Sequence, residues 1–238
     1  MEVLLVRAPN PSPLTLSGTN TWIVGRDPAW VVDPGPAFDE HLDEVGRVVA
    51  ERGGAGGIAL THDHHDHADG LEALRSRLGS PPVGAMPELA DGSLFGPFTA
   101  VHVPGHAADH LVFVAGRVAF TGDAVLGEGS VFIAPGGGSL AAYLHGLRRL
   151  RAMDLERLLP GHGPVVDDPA AKLDEYIGHR LERERRIVAA LAAGARTEDE
   201  LLAAAWDEIP VGLRVPAAWT LQAHLEKLRE EGRLPAGV

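Results

Sequence analysis

Six side chains able to hold a metal ion, four imidazoles and two carboxylates, follow one another in the segment 61–67, which reads THDHHDH. The segment follows a short apolar run, GIAL, that has the character of a buried strand. Side chains alternate along a strand with period two, so His62 and His64 point the same way. The chain then turns, which lets Asp66 and His67 reach a second position. Burying these groups without partners is costly, and a bound metal ion removes that cost. The segment therefore predicts metal ligands rather than a solvated polar loop.

Three further candidate ligands lie at expected strand ends, each of them beside a glycine. They are His106 in the sequence VPGH, Asp123 in FTGD and His162 in LPGH. Glycine lets the backbone turn sharply and approach other groups closely at these points. The chain has no cysteine, so thiolate ligands, disulfides and a thiol nucleophile are excluded. Any metal must then be held by imidazole and carboxylate, which suits zinc and leaves iron and manganese open.

The elements that must position these residues alternate between strands and helices. Apolar runs predict strands at 3–6, 21–24, 30–32, 57–60, 98–103, 111–114 and 118–120. Helical spacing predicts helices over 38–51 and 71–78, and from the N-cap Ser139 to about Arg151. Because strands occur on both sides of helices, the order favours a layered α/β architecture over an all-β one.

The segment after Pro164 has a different pattern, which is dominated by helices. A long amphipathic helix is predicted over 172–192, and Thr197 opens a second helix with a capping box. A third helix has Pro216 in its first turn, and a strand or wing is predicted near Leu234. The tail is therefore predicted to form a small helical unit.

The composition of the whole chain bounds its class. Its 238 residues, of which 45% are hydrophobic, fit a core domain at 1–168 with a small appendage at 169–238. The formal net charge of −12 argues against broad binding to nucleic acid but allows a local basic patch. No apolar stretch suits a transmembrane helix and the N-terminus does not resemble a signal peptide, so a cytoplasmic protein without membrane contact is expected. The excess of arginine and the scarcity of Asn and Gln fit either a thermophile or a GC-rich genome.

The order of the metal motifs resembles the metallo-β-lactamase superfamily, which has a four-layer αββα sandwich. The HxHxDH motif of the family is matched by His62, His64, Asp66 and His67. Later family motifs are matched by His106, Asp123 and His162. The resemblance implies one metal position formed by His62, His64 and His106 and another formed by Asp66, His67 and His162, with Asp123 bridging the two. It also implies that Asp33, in the sequence VDPG, buttresses the metal loop without binding metal.

Segments outside these motifs resemble one branch of the superfamily, the "β-lactamase-like" hydrolases with a C-terminal winged-helix-like domain. The segments are GTNT at 18–21, PGHAADH at 104–110, GDAVLGEG at 122–129 and YIGHR at 176–180. Members of that branch include a mitochondrial single-strand endoribonuclease and fungal polyketide thioesterases. Glyoxalase II shares the metal motif, whereas true β-lactamases fit less well, since this chain lacks a cysteine ligand and carries an extra C-terminal unit.

The chemistry that the resemblance implies is hydrolysis by two zinc ions. Two metal ions about 3.5–4 Å apart can share a hydroxide and lower its pKa toward neutrality. That bridging hydroxide is the expected nucleophile, and Asp66 and Asp123 are the expected catalytic residues because they fix the metals and orient it. No leaving-group acid can be assigned from the sequence, and His110 is only a candidate for that role and for a substrate contact. An orienting or purely structural role is the alternative for His110.

Three functions stay open, because one such site can hydrolyse a thioester, a phosphodiester or a lactam. A hydrolase like the single-strand endoribonuclease comes first, from the extent of the resemblance. A thioesterase acting on acyl carriers or glutathione thioesters comes second, favoured by the acidic net charge. A non-catalytic binding module comes last, because it would leave the metal ligands without a role.

Two stretches of the chain are predicted to supply further substrate contacts. The glycine-rich stretch 134–139, with Gly137, leads into a helix N-terminus where backbone amides can bind an anion; a plain turn is the alternative. The long C-terminal helix carries His179, Arg180 and Arg183, which could hold phosphates. Ion pairs with neighbouring glutamates on a solvated face are the alternative for this helix.

Overall fold

Two five-stranded sheets form the centre of the computed structural model, which describes residues 1–134, 139–206 and 209–234. The first sheet contains, in spatial order, β1 (Val3–Arg7), β2 (Asn20–Val24), β3 (Ala29–Val32), β4 (Ala55–Ala59) and β5 (Val83–Gly84). The second contains β6 (Leu94–Phe95), β7 (Phe98–His102), β8 (Leu111–Ala115), β9 (Val118–Gly122) and β10 (Arg157–Pro160), again in spatial order. Both sheets are mixed, because β3, β4 and β5 run parallel in the first and β9 and β10 run parallel in the second.

The described residues also contain seven α-helices and one 3-10 helix. They are α1 (Asp39–Glu51), α2 (His65–Ala68), α3 (Leu71–Arg77), α4 (Leu140–Arg151), α5 (Pro169–Ala192), α6 (Glu198–Ala205), the 3-10 helix Val211–Leu213 and α7 (Arg214–Glu230). Two predicted helix starts are confirmed. The Ser139 hydroxyl accepts the N–H of Ala142, and Thr197 forms a capping box with Glu200.

Three apolar clusters place helices on both outer faces of the paired sheets. The period of two along β8 shows the arrangement: Phe113 packs with Trp22 of the facing sheet, whereas Val112 packs against α4 and α5. On the opposite outer face, Leu42 of α1 packs against Ile23 of β2. The layers therefore run helix, sheet, sheet, helix, and the predicted four-layer αββα sandwich is confirmed.

The C-terminal helices have an apolar cluster of their own, to which α5, α6 and α7 contribute. Ile187 and Leu191 from the second half of α5 pack there with Leu201 and Leu221. Leu234 packs against this cluster, and no strand is found near it among the described residues, which end at 234. The boundary between residues 168 and 169 stays a prediction. No helix in the described part of the chain is long and apolar enough to cross a membrane.

Parallel pairing brings the chemically important strand ends to one edge of the sandwich. Because β3 and β4 are parallel, their carboxyl ends meet, and β9 and β10 meet in the same way in the second sheet. The two edges are then joined directly. The N–H of Leu111 donates to the carbonyl of Thr61 at 2.7 Å, and Thr19 forms an isolated bridge with His162. The loops that leave these strands therefore converge.

Candidate metal centre

Three imidazole nitrogens converge at the first predicted metal position. Nε2 of His62 and Nε2 of His106 each lie 3.0 Å from Nδ1 of His64. Zinc–nitrogen bonds of about 2.0–2.1 Å in a tetrahedral site place ligand nitrogens about 3.3 Å apart. The observed spacing is close to that value, so a single ion can contact all three nitrogens.

A second set of three donors lies beside the first. Nε2 of His162 is 3.0 Å from Oδ2 of Asp66 and 3.2 Å from Nε2 of His67. The distance between the His67 nitrogen and the Asp66 oxygen is 3.6 Å. His67 and His162 are buried, and Asp66 is partly exposed toward the cleft. The structure therefore brings together both ligand sets expected from the sequence.

Asp123 lies between the two sets with one carboxylate oxygen toward each. Its Oδ1 is 3.4 Å from Nε2 of His67 and 3.4 Å from Nε2 of His162, whereas Oδ2 is 3.6 Å from Nε2 of His106. Oδ1 is buried and accepts no hydrogen bond from the described residues. A buried carboxylate oxygen without a hydrogen-bond donor is costly, and a bridging cation would satisfy it.

In four of the five histidines that are candidate ligands, a hydrogen bond to Nδ1 fixes the orientation of the ring. Each Nδ1 faces an oxygen acceptor, which leaves Nε2 as the free lone pair for a metal. The pairs are His62 with the Thr61 hydroxyl at 3.0 Å, His67 with Asp33 at 2.9 Å, His106 with the Phe132 carbonyl at 3.0 Å and His162 with the Gly18 carbonyl at 3.4 Å. This pattern is typical of histidines that ligate metals, so the residues fit a dinuclear site.

Asp33 accepts hydrogen bonds from residues of the segment 61–67, which agrees with the supporting role that the resemblance implied. Its Oδ1 accepts the backbone N–H of Thr61 at 2.8 Å, and its Oδ2 accepts the Thr61 hydroxyl at 2.8 Å as well as the His67 ring. The residue has a φ of 54°, an unusual conformation for a non-glycine residue. One buried carboxylate thus orients residues on both sides of the first two ligands.

Burial and charge shift the pKa values of these groups in opposite directions. Burial lowers the pKa of His62 well below its ordinary value, so the ring is neutral near pH 7, as a metal ligand must be. Burial also disfavours a charged His67, but Asp123 and Asp33 outweigh it and raise the pKa of that ring. Asp123 itself is disfavoured as an anion by burial, yet His162 and His67 hold its pKa well below the usual range.

Gly161 makes the close approach of the two sheet edges possible. A Cβ at this position would lie 2.5 Å from Cε1 of His67 and 2.8 Å from Oδ1 of Asp123. Contacts this short require the ligands themselves to move. The glycine beside His162 is therefore explained by space rather than by backbone conformation.

The remaining histidines of the motifs have different surroundings. His65 is exposed and pairs with Asp69 at 2.9 Å, outside both ligand sets. His110 is fully buried, its ring stacks at 4.8 Å on His62, and its Nε2 accepts the backbone N–H of Asp123 at 3.1 Å. His110 does not line the cleft, so its placement fits an orienting role rather than a contact with substrate.

An apolar cleft of about 450 Å³ opens over the candidate ligands. One wall comes from the loop between β1 and β2, with Leu14 and Leu16. The other comes from the 3-10 helix that ends at Leu213 and from Trp219 of α7. Apart from the candidate ligands, Glu128 is the one charged residue among the described residues that line it. Neither wall was predicted from the sequence, although the 44% exposure of Trp219, a large aromatic side chain, is consistent with a surface used for binding.

The predicted phosphate contacts on α5 lie elsewhere. His179, Arg180 and Arg183 line a second cavity of about 370 Å³, which shares the segment 129–132 with the metal cleft. Arg180 is 2% exposed and donates to the Ser130 hydroxyl at 3.0 Å.

Other basic groups of α5 also have partners within the protein. Arg183 lies 4.9 Å from the Trp206 ring and donates to the Ala205 carbonyl and to His179. Arg185 and Arg186 pair with Glu182, which is the intrahelical alternative considered for this helix. Gly137 lies outside the described residues.

Comparisons with known proteins agree with this geometry. Residues 87–162 match the metallo-beta-lactamase superfamily, and residues 197–234 match the beta-lactamase associated winged helix domain. The chain is 31% identical over 271 residues to a beta-lactamase-like protein 2 homolog from Drosophila melanogaster, covering 98% of this chain and 89% of that one. It is 34% identical over 206 residues to an atrochrysone carboxyl ACP thioesterase from Aspergillus chevalieri, covering 80% and 66% of the two chains.

A solved structure has the same fold over nearly the whole length. A metallo-beta-lactamase family protein from Thermus thermophilus superposes with a TM-score of 0.73 at 23% identity, covering 97% of this chain and 94% of that one. The family matches, the level of identity and the ligand geometry lead to one conclusion. The chain belongs to the metallo-beta-lactamase superfamily, and it is a metal-dependent hydrolase with a C-terminal beta-lactamase associated winged helix domain.

Proposed function

We propose that the protein is a thioesterase that binds two metal ions, and that these ions are zinc. One ion would be held by His62, His64 and His106 and a second by Asp66, His67 and His162. Asp123, which lies between the two sets, would contribute to both. Iron and manganese remain alternatives, because sites of imidazole and carboxylate do not select strongly among these ions. We also propose that the protein is cytoplasmic and that its domain boundary lies between residues 168 and 169.

The metal pair, when bound, supplies a water nucleophile of lowered pKa and polarises the scissile carbonyl. The protein's own residues hold and orient that pair. Asp66 and Asp123 contribute negative charge next to the ligand nitrogens, and Asp33 keeps the His67 ring facing the site through its 2.9 Å bond. The apolar walls of the cleft restrict water around the reacting bond and strengthen these electrostatic interactions.

The observation that carries the proposal is the character of the cleft. Leu14, Leu16, Leu213 and Trp219 offer apolar surface above the ligands, which suits an acyl group. No lysine or arginine lines the cleft among the described residues, and Glu128 adds a negative charge. A polyanionic backbone such as RNA binds chiefly through contacts of its phosphates with basic side chains. The cleft therefore fits a thioester better than single-stranded RNA, the substrate class first expected from the sequence.

The leaving group gives a second argument for a thioester. Hydrolysis adds water to the carbonyl carbon and breaks the C–S bond, giving a carboxylic acid and a thiol. A thiol has a pKa of about 8.5, so its sulfur can leave as a thiolate without a strong acid. Glu128 is the one titratable side chain lining the cleft besides the candidate ligands, within the described residues, and it is exposed. A site without a dedicated acid thus suits a thiolate better than an alkoxide.

The thioesterase name of the Aspergillus chevalieri relative supports the same substrate class. An endoribonuclease activity is the second candidate. His179, Arg180 and Arg183 line the neighbouring cavity, but all three are engaged with groups of the protein itself.

A substrate panel on the zinc-loaded protein tests the proposal. It contains acyl thioesters of short, medium and long chain length, a glutathione thioester, single-stranded RNA and a chromogenic phosphodiester. Thiol release can be followed with a thiol reagent without background, because the chain contains no cysteine. We expect thioesters to have the highest kcat/KM, and chelation to abolish their hydrolysis until zinc is restored. Faster cleavage of RNA than of any thioester would replace this proposal with the endoribonuclease.

A further inference from the structure

The segment 130–133 separates the metal cleft from the second cavity and carries the partner of one candidate ligand. The carbonyl of Phe132 accepts the Nδ1–H of His106 at 3.0 Å. That bond turns Nε2 of His106 toward His64 and Asp123. The orientation of the third nitrogen of the first metal position thus depends on where the Phe132 carbonyl points.

Regular secondary structure does not hold this segment in place. Residues 130–133 belong to no strand or helix. Within the described part of the chain, the backbone groups of residues 130–133 form no hydrogen bond with other backbone groups. The hydrogen bonds that fix the segment therefore come from side chains.

Two of those side chains belong to α5 and α7. Nη2 of Arg180 donates to the Ser130 hydroxyl at 3.0 Å and to the Val131 carbonyl. The Thr220 hydroxyl accepts the N–H of Ile133 at 3.3 Å. Thr220 and Ile133 are buried, as is Arg180, so water does not compete for these bonds. The two contacts flank Phe132 on either side.

We propose that Arg180 and Thr220 are positioning residues that hold the Phe132 carbonyl for His106. The C-terminal helices thereby tune the affinity of the first metal position without touching the metal or the substrate. The inference rests on the proposed role of His106 as a ligand. Outer partners of this kind alter metal affinity or activity by about 10–100-fold when they are removed.

The sharpest test compares Thr220→Val with Thr220→Ser. Valine keeps the shape of threonine but removes the acceptor for Ile133, whereas serine keeps the hydroxyl. Both are made in an Asp66→Ala background, which leaves the first position as the main site for an added ion. We expect Thr220→Val to bind cobalt(II) about tenfold more weakly, with a changed absorption spectrum, and Thr220→Ser to resemble the parent. Arg180→Met should weaken cobalt binding in the same direction.

A matched control separates positioning from general loss of stability. Lys227 pairs with Glu184 at 2.7 Å in the same helical unit, and its ammonium group is not among the hydrogen-bond partners of the segment 130–133 in the described part of the chain. Lys227→Met should therefore lower the melting temperature and leave cobalt affinity unchanged. Equal cobalt affinity in Thr220→Val and the parent would overturn the inference, as would an equal weakening in Lys227→Met. A parent protein that binds no metal at all would instead overturn the proposed function.

Discussion

Oδ2 of Asp33 lies 2.9 Å from Nδ1 of His67, and both side chains are almost fully buried. The carboxylate determines which nitrogen of the ring carries the proton and which one faces the site. Asp33→Asn keeps the shape but removes the charge, so we expect the second metal to bind about 10–100-fold more weakly. Metal titration checks this. Asp69→Asn, which alters the partner of exposed His65, serves as the control. Equal weakening by both changes would contradict the role of Asp33.

Ligands and non-ligands within the HxHxDH motif are separable by metal content. Asp66→Ala and His67→Ala should reduce the stoichiometry from about two ions to about one and remove nearly all activity. His65→Ala should retain both ions, because His65 is exposed and pairs with Asp69 outside both ligand sets. Elemental analysis of the purified variants measures this. Loss of metal in His65→Ala as complete as in the other two would show the ligand assignment to be wrong.

The space around Gly161 gives a prediction about packing. In Gly161→Ala the new Cβ meets His67 and Asp123, so both metal positions should lose affinity by at least about tenfold. Gly178→Ala is the control, because no atom of the described residues beyond its own helix turn lies within 4 Å of a Cβ there and the residue is inside α5. That change should raise the free energy of unfolding by roughly 0.5–1 kcal/mol through helix propensity. Unaltered metal binding in Gly161→Ala would contradict the packing argument.

Trp219 tests the assignment of the cleft to an acyl group. Trp219→Ala should lower kcat/KM for a long-chain thioester about tenfold, mainly by raising KM, because it removes apolar contact worth about 1.4 kcal/mol. The effect should shrink for a short-chain thioester, which does not reach the wall. Leu181→Ala is a suitable control, since Leu181 is similarly exposed, 42% against 44%, but does not line the cleft. A loss independent of chain length would contradict an acyl-binding wall.

His224 should make the protein sensitive to acid. Burial, helped by Arg180 and Lys227, lowers its pKa from 6.5 to about 3. Between these values the unfolded chain binds more protons than the folded one, so stability rises with pH and is lost as pH falls below 6.5. At about pH 5 the loss amounts to about 2 kcal/mol.

The pH effect is measured as a difference between variants. His224→Leu removes the titrating ring, whose two nitrogens have no hydrogen-bond partner among the described residues, so part of the acid sensitivity should disappear. Denaturant unfolding of the metal-free protein near pH 7 and pH 5 provides the comparison. His145→Leu, which replaces a histidine at an exposed position of α4, is the matched control. Identical slopes for His224→Leu and the parent would contradict this account.

The metal centre was predictable from the sequence because its determinants are local. The candidate ligands lie in short motifs within a few residues after strand ends, so errors in strand boundaries do not matter. Thus no bounds were predicted for β10, yet His162 was found at an expected strand end from the sequence LPGH. The four-residue helix α2 was also missed, because it is too short to show periodicity.

The cleft and the roles of the basic helix were not predictable in this way. Leu14 and Trp219 come from opposite ends of the chain, and only the tertiary fold brings them to one cleft. On α5 the spacing of Arg180 and Arg185 does not distinguish a buried brace from a solvated ion pair. The hydrogen bond from Arg180 to the Val131 carbonyl shows that Arg180 has a buried structural role. The pairing of Arg185 with Glu182 shows that Arg185 forms a solvated ion pair.

The length of α5 has a mechanical consequence. Its 24 residues extend about 36 Å, and Tyr176 packs in the sandwich whereas Leu191 packs with the terminal helices. One continuous helix thus contributes to two hydrophobic cores, so unfolding of either core destabilises the other. We expect a single sharp thermal transition rather than two. A fragment that begins at residue 197, where the winged-helix match begins, lacks α5 and should remain unfolded.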